Sequence, residues 1–439
     1  MSMAETSASF DRRKPARWLA ALIILLGLIA AIMVGGGAPT DVCAAEAPLQ
    51  LKRGVSIHEW LNWSPVTESG AYRWPPYRDL EDWGSVRDFA RIKTLGFDFV
   101  RLSVDPGPLL ASEGERRKEA LARLAQAVDT VTKSGLKVIV DLHPVSQVQA
   151  WSQVALEVPA EDPMAARYRS VVASVAKMLE GLGTDRVALE LMNEPQFYPC
   201  DGSGGREWEA VLEGLVRAAR EAAPNLTLVV SGACGGNITG LVQLDPAKLG
   251  DDRLLYSFHF YEPLDFTHQG VAEAGDVKGA PWPADAVAEP LALIYSKLLI
   301  GRDDDVSANN RIARLAEARR YLSKYIASGA DKAKLKARFH QVRAWARQHG
   351  VAGDRLLLGE FGVMAANDQR GGALDADRYR WLSAVRHEAE ALGAAWAYWE
   401  YSNPHGMSLT TADRSRRVDP IAVKALGLAT DTAELQSGN

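Results

Sequence analysis

Ionisable side chains sit in short apolar runs throughout this chain, at points where a buried strand would ordinarily carry none. Arg101 lies in FDFVRLSV, His143 ends KVIVDLH, Asn193 and Glu194 end VALELMNE, and His259 and Tyr261 close LLYSFHFY. Glu360 lies in LLLGEFG, and Trp399 with Glu400 in AWAYWEY. A charged group buried alone is costly, so such a set must form a mutually satisfied network around a cavity. Any one of these residues has a bland explanation as a structural hydrogen-bonding group. Their recurrence at the same relative position in successive runs does not.

The inventory narrows the chemistry. No serine stands in a nucleophile elbow, no cysteine nucleophile is evident, and no compact metal-ligand motif occurs. Two carboxylates from different runs, Glu194 and Glu360, suit cleavage of a glycosidic bond. One is held protonated to donate to the leaving oxygen, and the other stays ionised to attack the anomeric carbon, the pair being about 5 Å apart for retention. Arg101 favours an anionic Glu360, while the Asn193–Glu194 segment, turned by Pro195, suits a carboxyl of raised pKa. No cofactor and no metal are expected. The eight histidines are scattered, and His143 and His259 would need a third ligand at equal depth to hold a metal-bound water.

These side chains need a frame that brings strand ends together. Apolar or β-branched runs start at Gly54, Phe97, Lys137, Val187, Leu226, Leu254, Leu356 and Ala395, and amphipathic stretches separate most of them: 80–95, 116–134, 163–182, 206–222 and 376–392. Gly96, Gly135 and Gly393 fall where helices should stop. Repeated βα alternation predicts an α/β fold, a single-domain (β/α)8 TIM barrel over residues 48–430, whose carboxy-terminal strand ends carry the chemistry. An open doubly wound sheet would advertise a glycine-rich phosphate turn, which is missing. After strand six the rhythm breaks from Glu262 to Gly350, a long insertion read as an active-site loop plus one or two helices. Asp141 and Glu190 share the facing of His143 and Glu194 and should lie deeper, orienting the catalytic layer. His58 should reach into the mouth, and Glu400 should turn away.

A net charge of -5 with acids and bases interspersed leaves no basic stripe for a polyanion, so nucleic acid is excluded as a partner. Of the twelve tryptophans, Trp60, Trp63, Trp151, Trp208 and Trp282 follow strands and are candidate sugar platforms in outer subsites. Arg12, Arg13, Lys14 and Arg17 precede an uncharged apolar run from Trp18 to Val34 and then small residues, so residues 1–47 read as a signal peptide or an uncleaved amino-terminal anchor. Either places the domain outside the cytoplasm, secreted or periplasmic, with membrane contact only through that segment. Residues 431–439 read as a flexible tail, and a monomer is expected. In an oxidising compartment Cys200 and Cys234, each just beyond a strand end, are a candidate disulfide. Two free thiols are the alternative.

At this point LELMNEP, FHFYEP and LLLGEFG, in order with Arg101, His143 and Trp399, resemble glycoside hydrolase family 5 from Gly54 to Tyr401. The resemblance implies that Glu194 is the acid/base, Glu360 the nucleophile, and Asn193 the partner of the sugar 2-hydroxyl. It implies further that Arg101 and Tyr261 flank the nucleophile, that His143 and His259 line the subsite of the ring being cleaved, and that Trp399 floors it. The substrate it implies is a β-glucan oligo- or polysaccharide. Endo-β-1,4-glucanase is the leading expectation, with β-1,3-glucanase (endo or exo) or β-mannanase on the same scaffold as alternatives. Outside enzymes, the rival is a catalytically silent sugar-binding barrel, which would need neither carboxylate.

Overall fold

The computed structural model describes residues 47–201, 203–271, 277–301, 308–366, 371–404 and 406–429. Residues 1–46 of the segment expected as a signal peptide or anchor, and the tail expected over residues 431–439, lie outside the described residues. Among the described residues no helix is long and apolar enough to cross a membrane.

Eight parallel strands close on themselves in sequence order: β1 Arg53–Leu61, β2 Phe99–Val104, β3 Lys137–Leu142, β4 Val187–Glu190, β5 Thr227–Ser231, β6 Leu254–His259, β7 Leu356–Phe361 and β8 Ala395–Tyr398. Strand β8 pairs with β1 through Gly54 opposite Ala397, which completes the (β/α)8 barrel. From β2 to β8 the strands are buried at nearly every position, as parallel strands covered on both faces must be.

Among the described residues eight longer helices wrap the barrel or its insertion: α1 Val86–Thr94, α2 Gly114–Lys133, α3 Pro163–Glu180, α4 Ser203–Ala222, α5 Glu289–Gly301, α6 Ala308–Ser328, α7 Lys332–His349 and α8 Asp375–Leu392. Their starts follow local chemistry. Ser85 and Asp88 form a reciprocal capping box at α1, and the Asp162 side chain accepts from Met164 N–H ahead of Pro163 at α3. Gly96, Gly135 and Gly393 adopt left-handed φ of 98°, 81° and 78°, turning the chain from helix back toward strand. Between β6 and β7 the insertion is more helical than expected. It holds α5, α6 and α7 besides the one-turn helix Leu264–Thr267, because apolar residues recur along it and pack, with Leu322, Tyr325, Leu335, Phe339 and Trp345 buried.

Inside the barrel the side chains form layers. A floor of Phe99, Ile139, Ala188, Val229, Leu255, Leu357, Ala395 and Ala397 makes a separate apolar cluster. One layer higher, on strands β1 to β7, the inward positions become polar or small: Ser56, Arg101, Asp141, Glu190, Ser231, Ser257 and Gly359. The six with side chains are all buried. The mouth lies above this second layer.

Three of the candidate sugar platforms, Trp60, Trp208 and Trp282, belong instead to the packing outside the strands. Trp60 is 3% exposed, stacks on Trp83 with centroids 5.8 Å apart and donates its Nε1–H to Arg78 O. Trp208 donates to Ser231 O beneath the Phe197 ring, and Trp282 is buried beside Phe266. A flat, large indole whose N–H meets a carbonyl is worth most in a core, and the Trp60 and Trp208 sites offer that. Replacing Trp60 by alanine should therefore act on the fold, lowering stability by about 3–5 kcal/mol in urea denaturation. A variant of wild-type stability that had lost only substrate affinity would restore the subsite reading.

Candidate active site

The site is built around the guanidinium of Arg101, which projects from β2 and is fully buried. Its Nε and Nη2 donate to Glu190 at 2.7 and 3.0 Å, and its Nη1 donates to Glu360 Oε1 at 2.6 Å. Nη2 also donates to Asn193 Oδ1 at 2.8 Å and lies 3.1 Å from Asp141 Oδ2. Glu190 and Asp141 thus lie in the deeper layer, as the strand alternation expected. They compensate the buried cation from below while Glu360 and Asn193 meet it from above.

Asn193 is oriented from both sides. Its oxygen faces Arg101, so its Nδ2 is the atom 3.2 Å from His143 Nε2. The other nitrogen of His143, Nδ1, lies 2.7 Å from Asp141 Oδ2. Burial and then Arg101 push the His143 pKa well down, so the ring is neutral, with its proton on Nδ1 toward Asp141 and Nε2 accepting from Asn193.

The two carboxyls meet across the mouth. One oxygen of each and a ring nitrogen of His259 all lie within 4.8 Å of one another. His259 Nδ1 is 2.8 Å from Glu194 Oε1 and 3.6 Å from Glu360 Oε2. Glu360 receives a donor on each oxygen, Arg101 on Oε1 and the Tyr261 hydroxyl on Oε2 at 2.9 Å. The Tyr261 pKa is driven well up by burial and by the adjacent Glu360, so that hydroxyl remains a donor.

Burial lifts both carboxyls, each to about 7. His259 and Arg101 oppose the rise at Glu360, while the nearby acids Asp141 and Glu190 add to it at Glu194, where Arg101 again opposes. The difference lies in exposure and company: the Glu360 side chain is 5% exposed and doubly donated to, and the Glu194 side chain is 39% exposed. Two donors stabilise the anion, so Glu360 is the member of the coupled pair that ionises first.

Trp399 lies parallel to the His143 ring, 5.8 Å away, and 4.8 Å from His58. His58 reaches in as expected. Trp63, half-buried, donates its Nε1–H to His58 Nε2 at 3.0 Å, leaving Nδ1 facing the Asn62 amide at 3.0 Å. Glu400 turns away from the cleft, accepting from His58 N–H at 3.1 Å. Trp151 is half-buried, with the Arg167 guanidinium over its ring at 5.2 Å. Cys200 and Cys234 are joined in a disulfide, their Cα atoms 5.7 Å apart.

Three contributors escaped the sequence reading. Gln153 donates to Glu194 O at 3.3 Å, Glu157 accepts from Gln196 N–H at 3.0 Å, and His268 packs edge-on against Tyr261 at 5.0 Å. None stands in a strand run or a motif, so no periodicity pointed to them. Glu194, His259 and Glu360 are also the described trio whose ligand atoms come close enough for a metal ion. The Arg101 cation bonded to Glu360 opposes a second cation there, so the arrangement suits proton transfer and nucleophilic attack better than metal ligation.

The sequence matches the model of the cellulase family, glycosyl hydrolase family 5, over residues 76–405. Cellodextrinase A of Ruminococcus flavefaciens is 28% identical over 226 residues, 51% of this chain and 62% of that protein, so the chain spans under two thirds of it. Endoglucanase C of Acetivibrio thermocellus is 24% identical over 360 residues, 80% of this chain and 92% of its own length. Among solved structures, the cellulose synthase subunit Z of Clostridioides difficile has a TM-score of 0.60 at 22% identity, covering 86% of this chain and 99% of that one. A family 5 xyloglucanase from Paenibacillus pabuli has a TM-score of 0.61 at 18% identity, with coverage of 86% and 98%. At such identities the structural likeness is one of fold. The sequence match is of another kind, since it runs through Arg101, both carboxyls and Trp399, and by its extent the chain belongs to glycosyl hydrolase family 5.

Proposed function

We propose that this protein is a retaining endo-β-1,4-glucanase, with Glu194 as acid/base and Glu360 as nucleophile. The observation that carries the reading is the carboxyl pair itself, with oxygens within 4.8 Å of each other and, among the described contacts, Glu360 alone doubly donated to. That spacing suits direct attack and a covalent glycosyl intermediate, whereas an inverting pair stands about 6.5–9.5 Å apart to admit a water. The glucan preference is supported by the family and by the names of the relatives, an endoglucanase and a cellodextrinase.

The steps follow from the donors. With one proton on the pair, Glu360 attacks the anomeric carbon as an anion held by Arg101 and Tyr261, while Glu194 protonates the departing oxygen from its more exposed side of the cleft. Bond formation to Glu360 removes its negative charge, and deprotonated Glu194 then takes a proton from the water that releases the sugar. His143 holds Asn193 so that its amide is presented beside the ring being cleaved. We further place the domain outside the cytoplasm. The amino-terminal basic and apolar pattern supports this, and so does the cysteine bridge, which an oxidising compartment would maintain.

Product analysis on β-1,4-glucan, β-1,3-glucan, mixed-linkage glucan and mannan reads sugar, linkage and endo or exo action together. Random internal cleavage of β-1,4-glucan is expected, and a folded protein with no turnover on any of the four would revive the sugar-binding reading. Glu360→Ala should lose turnover on every substrate yet be partly rescued by azide as a glycosyl azide of inverted configuration. Full residual activity would remove Glu360 from the nucleophile role. Glu194→Ala should lose about 10²–10⁴-fold on substrates with poor leaving groups and far less on dinitrophenyl glycosides.

The pair's protonation sets the pH profile. Raising pH ionises Glu360 and turns activity on, and raising it further strips Glu194 and turns activity off. kcat/KM on an unactivated oligosaccharide should therefore peak close to the value of about 7 to which both groups are pushed. A profile unchanged from about pH 5 to about pH 9 would contradict this assignment.

A further inference from the structure

Glu194 lies beyond the end of its strand. Strand β4 ends at Glu190, backbone bonds from Leu191 N–H to Val229 O and from Asn193 N–H to Leu142 O carry the chain on to Asn193, and Glu194 itself takes a left-handed φ of 40°, followed by Phe197 at 35°. Across from it, in the loop after β5, Cys234 has a φ of 61° and leads into Gly235 and Gly236, also left-handed. Residues with a Cβ persist in that region only where their surroundings over-determine them.

The two loops hold each other. Cys234 N–H donates to Gln196 O at 2.7 Å and Gly235 N–H to Pro195 O at 2.9 Å. Gly236 lies so close to Glu194 that a Cβ on it would be 3.5 Å from the Glu194 Cα. Gly236 O in turn accepts from His259 N–H at 2.9 Å, and His259 Nδ1 is the atom 2.8 Å from the Glu194 carboxyl. The Cys200–Cys234 disulfide is the covalent link in this ring. It runs from Glu194 along its own loop to Cys200, across the sulfurs to Cys234, through Gly236 to His259, and back to the carboxyl. Glu360, by contrast, is carried by β7 and held by Arg101 and Tyr261, neither of which lies in these two loops.

We propose that the Cys200–Cys234 disulfide is a positioning device for Glu194, and that opening it weakens protonation of the leaving group while sparing attack by Glu360. The inference rests on the reading of Glu194 as acid/base. A displacement of about 1 Å in a reacting group costs on the order of a hundredfold in rate. Such a loss appears only where the step needs that group. A bridge that merely stapled the fold would change the folded fraction and lower turnover on all substrates alike.

The test compares wild type with the Cys200→Ala/Cys234→Ala double variant on 2,4-dinitrophenyl β-cellobioside, whose leaving group needs no proton, and on phenyl β-cellobioside, whose leaving group does. Expected is a kcat/KM, which reports the first step alone, about tenfold to a hundredfold lower on the phenyl substrate, and a change in kcat/KM of about twofold or less on the dinitrophenyl substrate. Equal loss on both substrates, or loss on neither, overturns the proposal. If the double variant does not fold, wild-type enzyme reduced with a phosphine, its two new thiols counted, supplies the same comparison. An enzyme that unfolds on reduction makes the bridge a fold staple and equally overturns the proposal. Glu194→Ala measured alongside separates the two readings. No leaving-group dependence in that variant sinks the acid/base assignment, whereas dependence there but not in the cysteine variant sinks only the positioning role.

Discussion

A guanidinium buried at the centre of a closed barrel is the constraint on which the rest of this site depends. Taking Arg101 out of water carries a large desolvation cost, and it is tolerable only because anions and an amide oxygen meet its donors in near-ideal geometry. That requirement places Glu190 and Asp141 beneath it and Glu360 and Asn193 above it. The acids below cannot be exchanged freely for apolar residues, since each removed anion leaves the cation less compensated. The cation's remaining reach is then directed at the groups that face substrate.

From this arrangement the differences between the two carboxyls follow. Both are lifted by burial, so neither is an ordinary surface acid. Donors on both oxygens draw Glu360 toward the anion, whereas Glu194 looks across the cleft with only His259 beside its carboxyl among the described contacts. His259 stands between them on β6, within reach of both carboxyls, and its own pKa is lowered chiefly by burial while Glu360 opposes that fall. The Asp141–His143–Asn193 chain carries the order of the lower layer up to the mouth through fixed tautomers.

The fold separates stability from chemistry by depth. The floor of the barrel and the helix-facing surfaces of the strands form two separate apolar clusters, while polar side chains begin one layer above the floor, where Arg101, Asp141 and Glu190 are paired with one another. Trp60, Trp208 and Trp282 lie on the packing side of that division, and Trp399 and Trp63 on the other. An indole's role is therefore set by which side of the strand ends it falls on.

Much of this was legible in the amino-acid order. The eight strand runs and the glycines after three helices follow from local sterics and from hydrophobic period, which act between near neighbours. So does the joint appearance of Arg101, His143, Glu194, His259 and Glu360 at strand ends, because buried charge in an apolar run has to be explained by partners. Three things needed the folded chain. The tryptophans could not be sorted into core and cleft, since composition does not say which loop folds back. Gln153, Glu157 and the cysteine bridge act on the Glu194 loop from other loops. The facing of Glu360 is the clearest case. Alternation from inward Leu357 would turn Gly359 and Phe361 toward the axis, but the register of β7 against β6 slips by one between Phe258 opposite Leu358 and His259 opposite Glu360. That bulge sends Phe361 outward to Trp396 and Tyr398 and brings Glu360 in beside Arg101. The sequence by itself determined that a carboxylate would stand at the end of the seventh strand; only strand pairing, a contact between distant residues, decided which way it pointed.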